Sequence, residues 1–136
     1  KGFPIVFFDR VPNLEKTVNV LVDDYNGAYD ATRHLIEQGY RKIVHLAGPS
    51  NLKISQERHR GYKNALEDHG LEYNSDWVVE CTQGTNDEGQ KITAEILSNF
   101  KEKPDAFFAN NDMAAVGAML ACKAAGKRIP EDIGIV

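Results

Sequence analysis

The chain has 136 residues, the length of one ordinary domain, with 42% hydrophobic and 26% charged residues, a composition that excludes a disordered or low-complexity protein. Its formal net charge of −4 argues against this stretch itself clamping a phosphate backbone. No apolar run is long enough to span a bilayer, so no membrane partner is expected.

Residues 5–8 form a short apolar run that predicts a strand, closed by Asp9 and Arg10. A polar loop over residues 11–17 carries Pro12 and Asn13, and residues 18–22 predict a second strand. Asp24 is a candidate cap for a helix over residues 25–38, with Ala28, Ala31, Leu35 and Ile36 as its apolar stripe and Gly39 as its stop. Residues 43–47 predict a strand, residues 48–51 a turn, and residues 55–69 a helix ended by Gly70. Residues 77–81 predict a strand, residues 82–85 a polar loop, and residues 87–100 a helix with Ile92, Ile96, Leu97 and Phe100 on one side.

Residues 106–109 are the next buried strand, and Asn110, Asn111 and Asp112 follow at once. Their short polar side chains suit a helix cap, because they accept hydrogen bonds from the first free N–H groups. The helix over residues 114–125 has no polar face over its first three turns. A helix that is apolar all round is buried on both sides, which predicts that one flank, including Met113, Val116 or Met119, meets a partner subunit. A final strand begins at Ile133. The chain enters its first strand almost at once and stops inside its last, which predicts a piece of something longer.

From Asp24 onward helices and strands alternate, which predicts an α/β fold: a parallel sheet with right-handed crossovers and helices on both faces. Two separated cysteines, Cys81 and Cys122, predict buried free thiols in a reducing compartment. In such a sheet the polar clusters 49–51, 82–83 and 110–112 share the carboxyl edge, the usual place for a ligand, although each alone also fits ordinary loop chemistry. Arg58 adds to them. It shares a helical stripe with Gly61, Tyr62, Ala65 and Leu66, and so lies on the buried side of the first turn, where the helix dipole disfavours a cation. A carboxylate such as Asp112, or a bound polar ligand, is expected to compensate it; a purely structural ion pair is the alternative. Nucleotide-type glycine loops, nucleophile elbows and zinc-protease histidine pairs are missing, and the four histidines are dispersed. No enzyme, no metal and no cofactor is therefore expected, and Asp9, the one conceivable general base, has no partner acid.

Six stretches carry a resemblance: PIVFFDR at 4–10, VDDYNGAYDATRHLIEQGYRKI at 22–43, LAGP at 46–49, ERHRGYKNAL at 57–66, FFANNDMAAVGAML at 107–120 and IPEDIGIV at 129–136. Together they resemble the effector-binding core of the lactose-repressor (LacI/GalR) family of transcription regulators, in order and over nearly the whole chain. The resemblance implies a type I periplasmic-binding-protein-like fold of two subdomains closing over a small molecule, with residues 1–23 matching the last strands of the N-terminal subdomain and residues 24–136 a truncated C-terminal subdomain. It implies a cytoplasmic homodimer, a sugar or sugar derivative as effector, and operator DNA bound only through a helix-turn-helix head outside this chain. Family ligand contacts map onto Asp9, Arg58, and Asn111 or Asp112. The family often places an aromatic wall after the strand at 77–81, where this chain reads Thr82, Gln83, Gly84 and Thr85. A periplasmic solute-binding protein of the same fold is the rival reading.

Overall fold

All five residues of Ile43–Ala47 and all four of Ala106–Ala109 are buried, as befits strands covered on both faces. The computed structural model describes residues 3–9 and 17–136 and assigns these two segments to the centre of a parallel sheet. Strands β1 (Val6–Phe8) and β2 (Val18–Val20) come first, followed by α1 (Asp24–Glu37), β3 (Ile43–Ala47), α2 (Lys53–Asp68) and β4 (Val78–Glu80). The chain continues through α3 (Asn86–Asn99), β5 (Ala106–Ala109), α4 (Asp112–Ala124) and β6 (Gly134–Ile135). The larger sheet has the order β4-β3-β5-β6, and every neighbouring pair is parallel.

Alternation along the strands divides the core. Val44, Leu46, Phe107 and Ala109 face one way and pack with Ala114, Ala118 and Cys122 of α4 and Ile96 of α3. Ile43, Ala106 and Phe108 face the other way and pack with Leu35 and Ile36 of α1 and Tyr62 and Leu66 of α2. The fold is thus α/β, with a parallel sheet flanked by helices on both faces. Within the second layer His45 is fully buried; its Nδ1 donates to the Phe108 carbonyl at 3.1 Å, and Tyr62 Oη donates to the Ile43 carbonyl at 2.7 Å. Cys81 and Cys122 are buried free thiols.

Among the described residues β1 and β2 pair only with each other, Val6 opposite Val18 and Phe8 opposite Val20. Phe3, Ile5, Val6, Phe8, Val18, Val20 and Val22 are exposed, so this small sheet keeps an apolar surface. Arg10 and the loop expected over residues 11–17 lie outside the described residues, save for Thr17.

Several boundaries differ from the sequence expectation. The cap of α1 is Asp23, whose side chain accepts from Asn26 N, so Asp24 is free for another task. α2 begins at Lys53 rather than Ser55, because Leu52 stands at its cap with no side-chain hydrogen bond and leaves no sequence signature. Residues Ser75–Trp77 are a 3₁₀ turn, with Asn74 accepting from Asp76 N, and the strand begins only at Val78. β2 stops at Val20 rather than Val22. α4 is not buried on both sides in the single chain: Met113, Val116, Met119 and Leu120 are 37–49% exposed.

Candidate ligand-binding site at the carboxyl edge

Because β3, β4 and β5 are parallel, the loops that leave their carboxyl ends converge on one edge. Arg58, one turn into α2, reaches across this edge to α1. Its Nε and Nη2 each lie 2.9 Å from Asp24 Oδ1, and its Nη1 donates to the carbonyl of Asn110 at the end of β5. Both side chains are largely withdrawn from solvent, 27% and 13% exposed. The carboxylate that compensates Arg58 is therefore Asp24, not Asp112. A fork that meets one carboxylate oxygen and one backbone carbonyl is fixed in orientation as well as in charge. Three of its five N–H groups are engaged, leaving one on Nη1 and one on Nη2.

Asn111 caps α4: its Oδ1 accepts from Ala114 N at 2.9 Å. Its amide nitrogen lies against Gly84, where an added Cβ would come within 2.7 Å and where φ is +61°. Glycine at position 84 thus answers both a left-handed backbone and a close neighbour. Asp112 follows in the first turn of α4, exposed, and among the described residues its side chain makes no hydrogen bond or ion pair. The helix dipole favours a carboxylate there.

The loop after β4 is drawn together by Glu88 of α3. Its carboxylate accepts from Thr82 N, Thr82 Oγ1, Gln83 N and Gly84 N at 2.8–3.0 Å. Partial burial opposes its charge, but the amides of Gln83 and Gly84 with the hydroxyl and amide of Thr82 outweigh it and hold the carboxyl below its ordinary value. The aromatic wall expected by resemblance is absent here: the loop offers hydroxyl, amide and backbone only.

Two cavities open at this edge. The smaller, about 260 Å³, is lined by Asp24, Arg58, Asn110, Asn111 and Asp112, with Phe108 and Val22 as apolar wall. The larger, about 580 Å³, holds Asp9, Tyr25, Leu52, Lys53 and Glu57 and falls within the size range of small-molecule sites. Val22, Asp23 and Asp24 line both. Of the residues predicted for the site, Arg58, Asn111 and Asp112 are thus brought together, while Asp9 stands in the adjoining space. Asp9 adopts a φ of +62°, a left-handed conformation that Asp tolerates better than most residues and that accumulates at functional turns. Asp24 and Glu88 were missed as site residues. The doubled Asp23–Asp24 was the available signal, since one acid suffices for a cap.

Among the described residues no group of three or more His, Cys, Asp or Glu side chains is arranged to hold a metal ion, and no described helix is long and apolar enough to cross a membrane.

The whole chain, residues 1–136, matches the family described as periplasmic binding proteins and sugar binding domain of LacI family. It is 36% identical over 135 residues to the HTH-type transcriptional repressor PurR of Haemophilus influenzae, covering 98% of this chain and 39% of that protein. It is 36% identical over 138 residues to the HTH-type transcriptional regulator CelR of Thermobifida fusca, covering 99% and 40%. Among solved structures it is similar to the complex of the transcriptional regulator CelR with cellobiose, with a TM-score of 0.86, 33% identity and coverage of 96% of this chain and 40% of that one. It is also similar to a sugar-binding LacI-family regulator of Escherichia coli complexed with phosphate, with a TM-score of 0.86, 29% identity and coverage of 98% and 47%. The chain spans about two fifths of the length of the curated relatives it matches. The matched family model and the parallel α/β architecture agree: this chain belongs to the family of periplasmic binding proteins and sugar binding domains of LacI-type regulators.

Proposed function

We propose that this chain is the effector-sensing part of a cytoplasmic, DNA-binding transcription regulator. A small sugar or sugar derivative settles at the carboxyl edge, on Arg58 and Asp112 with Asn111 beside them, while Asp9 approaches from the strand pair at residues 1–23. Residues 24–136 form one jaw of the cleft and residues 1–23 belong to the other. The effector bridges the jaws, biases their closure and so shifts the spacing of operator-binding heads carried outside this chain. Two copies pair through the exposed apolar flank of α4, at Met113, Val116 and Met119.

The observation that carries this reading is the Arg58 fork, clamped by Asp24 and the Asn110 carbonyl at the mouth of a cavity that Asp112 shares. Its two remaining N–H donors and the unpaired Asp112 carboxylate are the complement a sugar hydroxyl needs, since a hydroxyl both donates and accepts. The relatives named as repressors, and the solved CelR–cellobiose complex, support the same assignment.

The test is calorimetric titration of the parent protein with a panel of mono- and disaccharides that includes ribose and cellobiose. At least one sugar should bind, and Arg58→Ala should weaken that sugar by at least about 1.5 kcal/mol, the value of a lost charged hydrogen bond. Unchanged affinity in the variant refutes the role of Arg58. A parent protein that binds sugar but no DNA overturns the regulator reading in favour of a solute-binding protein.

A further inference from the structure

The carboxyl edge contains two elements built to hold an anion, and the chain fills both with its own carboxylates. The Arg58 guanidinium takes Asp24 at 2.9 Å. Three successive amides, Thr82, Gln83 and Gly84, converge on Glu88; such a nest of N–H groups otherwise attracts phosphate or carboxylate. Helix starts tell the same story. α1 is capped by Asp23 with Asp24 in its first turn, α3 by Thr85 with Asp87 and Glu88, and α4 by Asn111 with Asp112. Among the described helices only α2 starts without a side-chain cap, and it carries Lys53 there. Asp9 adds a further carboxylate to the adjoining cavity, where Glu57 is already paired with Arg60 at 2.6 Å and Lys53 stands nearby.

Resting on the effector-sensing reading above, we propose that the cleft selects uncharged polyhydroxyl effectors against their phosphorylated or carboxylated forms, and that Asp24 is the residue that sets the preference. An incoming anion meets a guanidinium already neutralised and must displace Asp24 or lie beside it and Asp112. Like charges at such distances disfavour binding, the more so where the groups are partly withdrawn from water. An uncharged hydroxyl meets no such repulsion and can use the two free N–H groups of Arg58 and the acceptors of Asp112. Replacing Asp24 by Asn keeps the shape and removes the charge, which releases Arg58 as an unneutralised cation.

The test uses the parent protein, wild type and Asp24→Asn, in thermal-shift and calorimetric titrations. The probes are glucose and ribose, glucose 6-phosphate and ribose 5-phosphate, and inorganic phosphate alone. Wild type is expected to take a free sugar at least tenfold tighter than its phosphate ester and to ignore inorganic phosphate. In Asp24→Asn that ratio should fall at least tenfold, chiefly through gained affinity for the ester, while circular dichroism shows the variant folded. A phosphate ester that binds wild type as tightly as the free sugar overturns the inference and leaves the sensing role standing, and Lys53→Gln then tells whether the open start of α2 takes the phosphate. A ratio unchanged in Asp24→Asn removes Asp24 from the explanation. If no sugar of this set or of the wider mono- and disaccharide panel binds, the sensing reading fails and takes this inference with it.

Discussion

Replacing Gly117 by Ala sets two effects of opposite sign against each other. Gly117 lies within α4 and faces α3. A Cβ there would press on the carbonyl oxygen of Asn86, 2.5 Å from Gln90 N and 2.9 Å from the carbonyl carbon of Gly89. In an open helix the change would stabilise by about 1 kcal/mol, because Ala is the better helix former. Here every near atom is backbone of the facing helix and cannot rotate aside, so the overpacking cost of about 1–3 kcal/mol applies at its upper end. The net expectation is a loss of about 2 kcal/mol, which lowers a urea midpoint by about 1 M at an ordinary slope. Gly27 supplies the control: it lies in α1 with nothing within 4 Å of an added Cβ, so Gly27→Ala should add up to about 1 kcal/mol of stability and raise the midpoint. Urea unfolding followed by circular dichroism measures both. If Gly117→Ala raises the midpoint as Gly27→Ala does, the close approach of α3 and α4 is wrong.

Other outcomes follow from single features. Val116→Asp puts a charge on the exposed apolar flank of α4 and should move the parent protein toward monomer on a sizing column; an unaltered dimer would place the interface elsewhere. Glu88→Ala leaves three loop amides without their acceptor and should cost about 1–2 kcal/mol, discounted for partial exposure, with little change in sheet content by circular dichroism. His45 is held neutral by burial, which pulls its pKa down to about 3 despite the hydrogen bond to Phe108. The unfolded chain binds this proton first, so the contribution of His45 is intact above about pH 6.5 and is lost as pH falls toward 3. Unfolding free energy should therefore drop steeply between pH 6.5 and 4, and His45→Phe should flatten that slope whatever its stability at pH 7.5; an equal slope in the variant would exclude His45 as the source.

The sheet was legible because its central strands are short apolar runs between turn residues: residues 43–47 and 106–109 match β3 and β5 end to end. Helix starts were legible to within a residue or two where polar side chains mark them, as the cluster Asn110–Asn111–Asp112 marks α4, but not which residue caps: Asp23 rather than Asp24 caps α1. The start of α2 was not, because Leu52 contributes no hydrogen bond. Arg58 was legible as a half-buried cation from its stripe, whereas its partner was not. Asp24 lies 34 residues earlier on another helix, and local periodicity carries no information about which helix of the same layer will face it. Glu88 was hidden for the opposite reason. It sits where any helix start favours an acid, so nothing in the sequence separates a dipole partner from the keystone of a loop.

Each loop at the carboxyl edge is fastened by a residue only a few positions away. Asp23 holds Asn26, Gln56 Nε2 donates to the Ser50 carbonyl, Glu88 gathers Thr82 to Gly84, and Asn111 caps the turn that Asp112 opens. None of these ties passes through the buried layers that fix the sheet. Segments of about ten residues, cut at the strand end and one turn into the following helix, therefore carry much of their own shape with them, while the Arg58 link to the Asn110 carbonyl and the packing of Asn111 on Gly84 join one segment to the next. Such segments are natural units of exchange: a lineage, or an engineer building a biosensor, can trade one loop for another and retune what is recognised without solving the core again.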